Sequence, residues 1–410
     1  MTLNSTGFAP ALKEMYPDDV LKDMTIEDHA LLAMIPKDEN AYGNPIVVPV
    51  IYGKPQGRSA SLSTAITNSG NTALKQFDLT MASDYAIAEI DRLTALRSEN
   101  DEGAFAKAIE TEMDGAVSVC AQSLARALYG DGHGHIGQIG AASVANPMVL
   151  TLLDINDIVN FEIGMVIEAD DTEAGSSLRT TPATATLAGI DRDLGTVTTG
   201  YDNSGGATNW AANDYLYQDG DESAMLSGLA AWVPSTAPGA TTFFGVDRTA
   251  DVTRLGGVRV TGTGLPVESA LLKLASKVSR EKGKPRWAFV NDVAYYELIT
   301  SLGSKVSFVE QAVTADVYFS GVRIHGPKGV LDVFPDFECP SQRAYVLTPE
   351  SLKLYSVNPA PHIFDEDNDQ KLLRAATADT YQARIGYYAQ LGMSAPGWNG
   401  VVTLDAFTFA

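Results

Sequence analysis

The chain has 410 residues, 45% of them hydrophobic and 20% charged, a globular balance that argues against wholesale disorder and, at this length, predicts two or three packing units instead of one core. Its formal charge of -22 argues against nucleic acid as a direct ligand, because phosphate binding needs clustered Lys and Arg that release counterions. There is no apolar run of about 18 residues, and residues 1–30 lack a basic start followed by an apolar stretch; the reading is a protein made and used in the cytosol, with no membrane partner.

Residues 1–41 hold one amphipathic candidate, with Val20, Leu21, Met24, Leu31 and Leu32 spaced as a helix face and Pro36 after its end. This reads as an arm that needs a surface to lie on. From Tyr42 the texture changes: Ile46 to Tyr52 is strand-like and interrupted by Pro49, a polar Gly/Ser/Thr/Asn stretch runs to Thr72, and Leu74 to Met81 returns as a strand. Residues 42–85 are expected to form a protruding hairpin with almost nothing to bury by itself, its proline suiting an edge. Lys54, Arg58 and Lys75 against Asp78 leave the stretch as far as Met81 two net positive charges, suited to docking on the acidic body of another copy.

Ser98 and Asp101 give a cap-like start to a helix on which Phe105, Ile109, Met113, Val117, Cys120, Leu124 and Leu128 recur every three or four residues up to Gly130. Such a helix spans about 45 Å, enough for a domain spine, and residues 86–150 are assigned to it. Cys120 falls on the apolar stripe as a small buried thiol. With Cys339 the only other cysteine, neither a disulfide framework nor a cysteine-based metal site is expected.

Residues 151–234 turn β-like, with short runs such as Met165-Val166-Ile167 and Gly195-Thr196-Val197-Thr198 between Gly, Asp and Asn turns. They carry 14 acidic residues against Arg179 and Arg192, a net charge of -12, and read as an inserted acidic β-rich domain. Residues 235–380 alternate: Pro266 opens a helix closed by Gly283, Trp287 to Val290 is a strand, Asp292 to Leu302 a helix, and strands follow near Val322, Val330, Ala344 and Leu352. That is an α+β unit. Residues 381–410 read as a β return to the spine domain.

Gly132-His133-Gly134-His135-Ile136-Gly137 satisfies a dinucleotide-loop pattern, but it follows a helix and opens none, and it reads as a flexible glycine loop. His133 and His135, if extended, face one side and suggest a shared metal, yet no third ligand stands at a helpful spacing, so a solvated pair is preferred. Asp170-Asp171 and Asp365-Glu366-Asp367 lack the ligand periodicity of a calcium loop and read as solvated turns. No G-x-S-x-G, H-E-x-x-H or Walker sequence occurs. The reading is no catalytic residue, no cofactor and no metal; the chain is not an enzyme.

The order of arm, hairpin, spine helix, β insertion and α+β unit resembles the major capsid proteins of tailed bacteriophages, of the Hong Kong 97-type fold. The residues that carry the resemblance are Tyr16 to Leu21 with Leu31 to Lys37, Ile46 to Tyr52 with Gly53 and Gly57, Ala121 to Gly130, Phe243 to Arg248 with Arg254 to Gly257, and Gly321 to Gly329. The resemblance spans nearly the whole chain and rests on the order of these pieces. It implies an α+β phage major capsid protein fold, with an N-arm (1–41), extended β-hairpin loop (42–85), peripheral domain with spine helix (86–150), inserted β-rich domain (151–234), axial domain (235–380) and C-terminal β return (381–410).

By the same resemblance the partners are other copies in hexamers and pentamers of an icosahedral virion shell, assembled in the host bacterial cytoplasm around double-stranded DNA that is enclosed without sequence-specific binding. A portal and a separate scaffolding protein are also implied, since the forty or so residues before Tyr42 have room for an arm alone. Lys54, Arg58 and Lys75 are the expected inter-subunit contacts. The Lys to Asn cross-link of some relatives has donors here in Lys54 or Lys75 but no acceptor context. The rival readings are an encapsulin-like compartment around protein cargo, and a carbohydrate-active or metal-dependent hydrolase built on the acidic β module.

Overall fold

The computed structural model describes residues 29–41, 43, 45–91, 102–143, 146–206, 208–302, 308–312, 318–364, 373–374 and 380–407. The arm residues Tyr16 to Met24, the cap candidates Ser98 and Asp101, and Asp365-Glu366-Asp367 lie outside them. In chain order α1 (Ala30–Met34) and β1 (Lys37–Asp38) lead into a two-stranded hairpin, β2 (Ile46–Gly53) and β3 (Ala73–Leu79), whose connection carries α2 (Leu62–Thr67). Then come β4 (Ala82–Asp91) and the long α3 (Glu102–Tyr129).

Six strands, β5 (His135–Ala142), β6 (Val149–Leu152), β7 (Val166–Asp170), β8 (Ala185–Asp191), β9 (Thr196–Thr199) and β10 (Tyr215–Gln218), close into an antiparallel barrel in the order β10-β5-β6-β9-β8-β7. Closure leaves no edge and encloses its own core of Ile139, Leu150, Phe161, Ile167, Val197 and Leu216. The barrel thus begins at His135, whereas the sequence reading opens the insertion at residue 151, which leaves β5 and the first two residues of β6 in the spine unit because the glycine-rich run around β5 hides its alternation.

α4 (Leu229–Trp232) returns the chain to the body, and β11 (Val258–Thr261), α5 (Val267–Arg280), β12 (Trp287–Val290), α6 (Asp292–Leu302), β13 (Phe308–Ala312), β14 (Tyr318–Gly326), β15 (Gly329–Pro335) and β16 (Arg343–Leu347) follow. With β21 (Gly400–Thr403) these strands make a seven-stranded mixed sheet, β11-β21-β16-β12-β15-β14-β13. α5 presents Leu271, Leu274 and Val278 to this sheet and forms with it and α6 a second core. The remaining strands, β17 (Leu352–Ser356), β18 (His362–Ile363), β19 (Leu373–Arg374) and β20 (Thr380–Met393), join β1 and β4 in a sheet organised by β20. That strand is 14 residues long and pairs with β4 from Thr380 to Ala389 while β17 takes its far end.

The spine helix lies on this sheet because Met113, Val117, Cys120, Leu124 and Leu128 follow the helical repeat and all are buried. Cys120 and Cys339 are free and buried, and burial pushes both thiols up. Where α3 ends, a buried carboxylate gathers three donors from three parts of the chain. Asp336 accepts from the Leu31 amide at 2.9 Å, the Tyr129 hydroxyl at 2.8 Å and the Glu338 amide at 3.2 Å, fastening α1 and the spine to the seven-stranded sheet.

Burial pushes Asp336 up to about 6 and its neighbour Glu338 up to about 7, the latter in spite of the Arg126 charge. One Glu338 carboxylate oxygen, Oε2, has no hydrogen-bond partner. A carboxyl raised in the folded state contributes stability that is complete below its unfolded value, near 4.5, and disappears as pH rises through the folded one, about 7. Stability should therefore fall between pH 4.5 and 7 on account of this pair. In thermal unfolding, Glu338→Gln is expected to raise the midpoint at pH 8 and leave it nearly unchanged at pH 5; an equal effect at both pH values contradicts this assignment.

Candidate inter-subunit interface

Strict alternation in Ile46-Val47-Val48-Pro49-Val50-Ile51 gives the hairpin two unlike faces. In the register Ile46↔Leu79, Val48↔Phe77 and Val50↔Lys75, one row faces the body; Val47↔Asp78, Pro49↔Gln76 and Ile51↔Leu74 face away. Ile46, Val48, Val50, Phe77 and Leu79 are fully buried. Phe77 lies 5.0 Å from the ring of Trp232, which packs in turn on Phe243 at 5.1 Å and donates from its indole N–H to the Leu391 carbonyl at 2.9 Å. The Asp78 amide donates to the Phe244 carbonyl, and Arg254 Nη1 to the Tyr52 carbonyl at 2.6 Å. The hairpin is thus anchored along its lower half, against the expectation that it has almost nothing to bury; the apolar partners sit near residues 229–246, out of reach of a local reading.

Beyond this neck the anchoring stops. The outward row exposes Val47, Ile51 and Leu74, and α2 has no buried residue, with Leu62 77% and Ile66 64% exposed. Covering side chains of this size contributes roughly 1.5–3 kcal/mol each, which makes the outer face and tip the candidate docking surface.

The three expected contact residues divide. Lys54 and Arg58 stand exposed on the connection. Lys54 lies close enough to Lys282 that its positive charge is the main cause lowering that amine, so like charges meet at the neck. Lys75 is on the body-facing row opposite Val50, half-buried. Its charge adds to the Thr249 hydroxyl and amide that hold Asp247 below the usual carboxylate range, so it is turned toward its own chain.

The acidic barrel uses both of its cations internally. Arg179 grips the buried Asp214 with two hydrogen bonds, 2.8 and 2.6 Å, and Arg192 pairs with Glu162 at 2.8 Å. The Asp170 carboxylate, read as a solvated turn, is buried and takes the Thr172 and Ser177 amides, and Asp171 lies 3.8 Å from Arg179. Glu173, Asp191, Asp193, Asp202 and Asp219 are exposed and set its surface sign, whereas Glu168 is buried.

The glycine loop is also built differently from the expectation. Gly132 and Gly134 have φ of +98° and +83°, and a Cβ on Gly132 would lie 2.8 Å from the Ser227 hydroxyl oxygen, so their conformation and close packing, not flexibility, require glycine. His133 and His135 part company: His133 Nδ1 sits 3.4 Å from the Ser223 hydroxyl, while His135 turns to Asp131.

Over almost all of its length this chain is similar to proteins of particle shells. It is 12% identical to a chain of the capsid asymmetric unit of cyanophage A-1(L), covering 95% of this chain and 98% of that one with a TM-score of 0.45. The holo-SrpI encapsulin complex from Synechococcus elongatus PCC 7942 is 9% identical, with 100% and 99% covered and a TM-score of 0.45. The capsid of a native GTA particle is 10% identical, with 93% and 91% covered and a TM-score of 0.44. Capsid proteins are among its structural neighbours. No family model and no curated protein matches the chain by sequence. Among the described residues no helix is long and apolar enough to cross a membrane.

The neck and the tip should respond oppositely to truncation. Phe77→Ala is expected to cost about 3–5 kcal/mol in chemical denaturation, as a buried aromatic does, while Leu62→Ala and Ile66→Ala change the subunit by less than about 0.5 kcal/mol. Equal costs at both places would contradict the division drawn here.

Proposed function

We propose that this chain is the major capsid protein of a tailed bacteriophage, a structural subunit that assembles with copies of itself into a closed shell around double-stranded DNA. One observation carries the reading: the hairpin is fastened firmly at its neck but presents an uncovered apolar face and tip, with Ile51 62%, Leu62 77% and Ile66 64% exposed. A rigidly mounted sticky projection has its natural complement on a sister subunit. Interfaces of that kind in obligate assemblies bury well above roughly 2,000 Å² per pair. Because the projecting face and the receiving face differ, the contact is heterologous and either closes into rings, here hexamers and pentamers, or runs on as an open polymer.

In this reading 1–41 is the N-arm, rooted on its own body through α1 and β1, 42–85 the extended loop, the spine helix and β20 sheet the peripheral domain, and the seven-stranded sheet the axial domain. The acidic barrel faces outward, away from packaged phosphates. Scaffolding and portal are separate proteins, and the shell forms in the host bacterial cytoplasm. Lys54, Arg58 and Lys75 meet acidic surface on the adjacent subunit, Lys75 from a half-buried place on the body-facing row.

Negative-stain microscopy of the expressed chain is expected to show closed particles, and nuclease-protected DNA inside particles from infected cells separates a virion from an encapsulin-like compartment, which would hold protein cargo. A discrete monomer at every concentration would overturn the shell reading. Lys54→Glu with Arg58→Glu is expected to reduce particle yield several-fold without unfolding the subunit, the loss being smaller at high salt where surface charge is screened. Unchanged yield removes these two residues from the contact.

A further inference from the structure

A cavity of about 360 Å³ opens beside the end of the spine helix, lined among others by Asp131, His135, Glu173, Tyr215 and Arg343. Three elements meet there. Asp131 stands two residues beyond α3, His135 is the first residue of β5, and Glu173 lies in the loop after β7. Their ligand atoms, an imidazole nitrogen and two carboxylate oxygens, all fall within 4.8 Å of one another. His135 Nδ1 and Asp131 Oδ1 are 3.9 Å apart, too far for a hydrogen bond and wider by about half an ångström than the roughly 3.4 Å that separates neighbouring ligands of a tetrahedral ion.

Two further features point to a ligand. The His135 Nδ1 atom is buried and has no hydrogen-bond partner, although an acidic side chain lies on either hand. An orphaned buried nitrogen costs free energy unless something fills its lone pair or takes its proton. The surroundings also hold the ligands in place: the His133 amide donates to Asp131 Oδ1 at 2.9 Å, and the His135 ring packs edge-on against Tyr215 at 5.6 Å.

We propose that Asp131, His135 and Glu173 form a site for one divalent transition-metal ion of the zinc type, which clamps the first barrel strand and the loop after β7 to the end of the spine helix. One nitrogen and two carboxylate oxygens suit Zn²⁺ or Co²⁺, with water completing the shell, and suit Ca²⁺ poorly because it prefers six to eight oxygens. The clamp is independent of the hairpin and of shell assembly.

The test is Zn²⁺ binding to the full chain by equilibrium dialysis with metal analysis, repeated with Co²⁺ and its visible absorption. One ion per chain is expected, with His135→Ala weakening binding by about tenfold or more and His133→Ala leaving it unchanged. Glu173→Gln, in an exposed loop, provides a variant that keeps the fold and is expected to weaken binding similarly. Absence of stoichiometric Zn²⁺ binding, equal affinity in wild type and His135→Ala, or a loss in His133→Ala as large as in His135→Ala would each overturn the proposal.

Discussion

The packing of Phe77 against Trp232 is the contact on which the rest of the surface depends. Trp232 is fully buried, tied through its indole N–H to the β20 backbone and flanked by Phe243 and Phe244, so the wall that receives Phe77 is part of the main core. A hairpin mounted on such a wall leaves the body in a fixed direction. Period-two alternation then requires that whatever faces inward on one row leaves Val47, Ile51 and Leu74 outward on the other. The apolar outer face is therefore a consequence of the same strand geometry that fixes the neck.

Charge is distributed in keeping with this division of labour. The barrel pairs Arg179 and Arg192 within itself, while the hairpin connection holds Lys54 and Arg58 in the open, Lys54 next to the like-charged Lys282. Repulsion at the neck gives Lys54 no reason to settle on its own body. Opposite signs on separate parts of one chain favour contacts between copies and set register more than they set affinity.

Much of the architecture was legible from local pattern. The β12 strand Trp287–Val290 and the α6 helix Asp292–Leu302 fall at the residues that the sequence pattern marks, and the buried stripe of α3 follows the i, i+3, i+4 spacing from Met113 to Leu128. What was not legible depends on long-range partners. The neck of the hairpin is buried by residues about 150 positions away, β5 is masked by the glycines of its own strand, and the neighbours of His135 are a turn residue and a loop glutamate 38 positions on. Sequence gives the charge of Lys75 but not its row, which the register with Val50 makes the body-facing one.

In the proposed shell the hairpin is held by its own body at the neck and by another copy at the tip. Hydrogen–deuterium exchange of assembled particles and of dissociated subunits separates the two halves directly. Amides of residues 46–51 and 74–79 are expected to be protected in both states, while those of 62–69 gain protection only on assembly. Equal protection of 62–69 in the isolated subunit, or exchange there that assembly leaves unchanged, would contradict it.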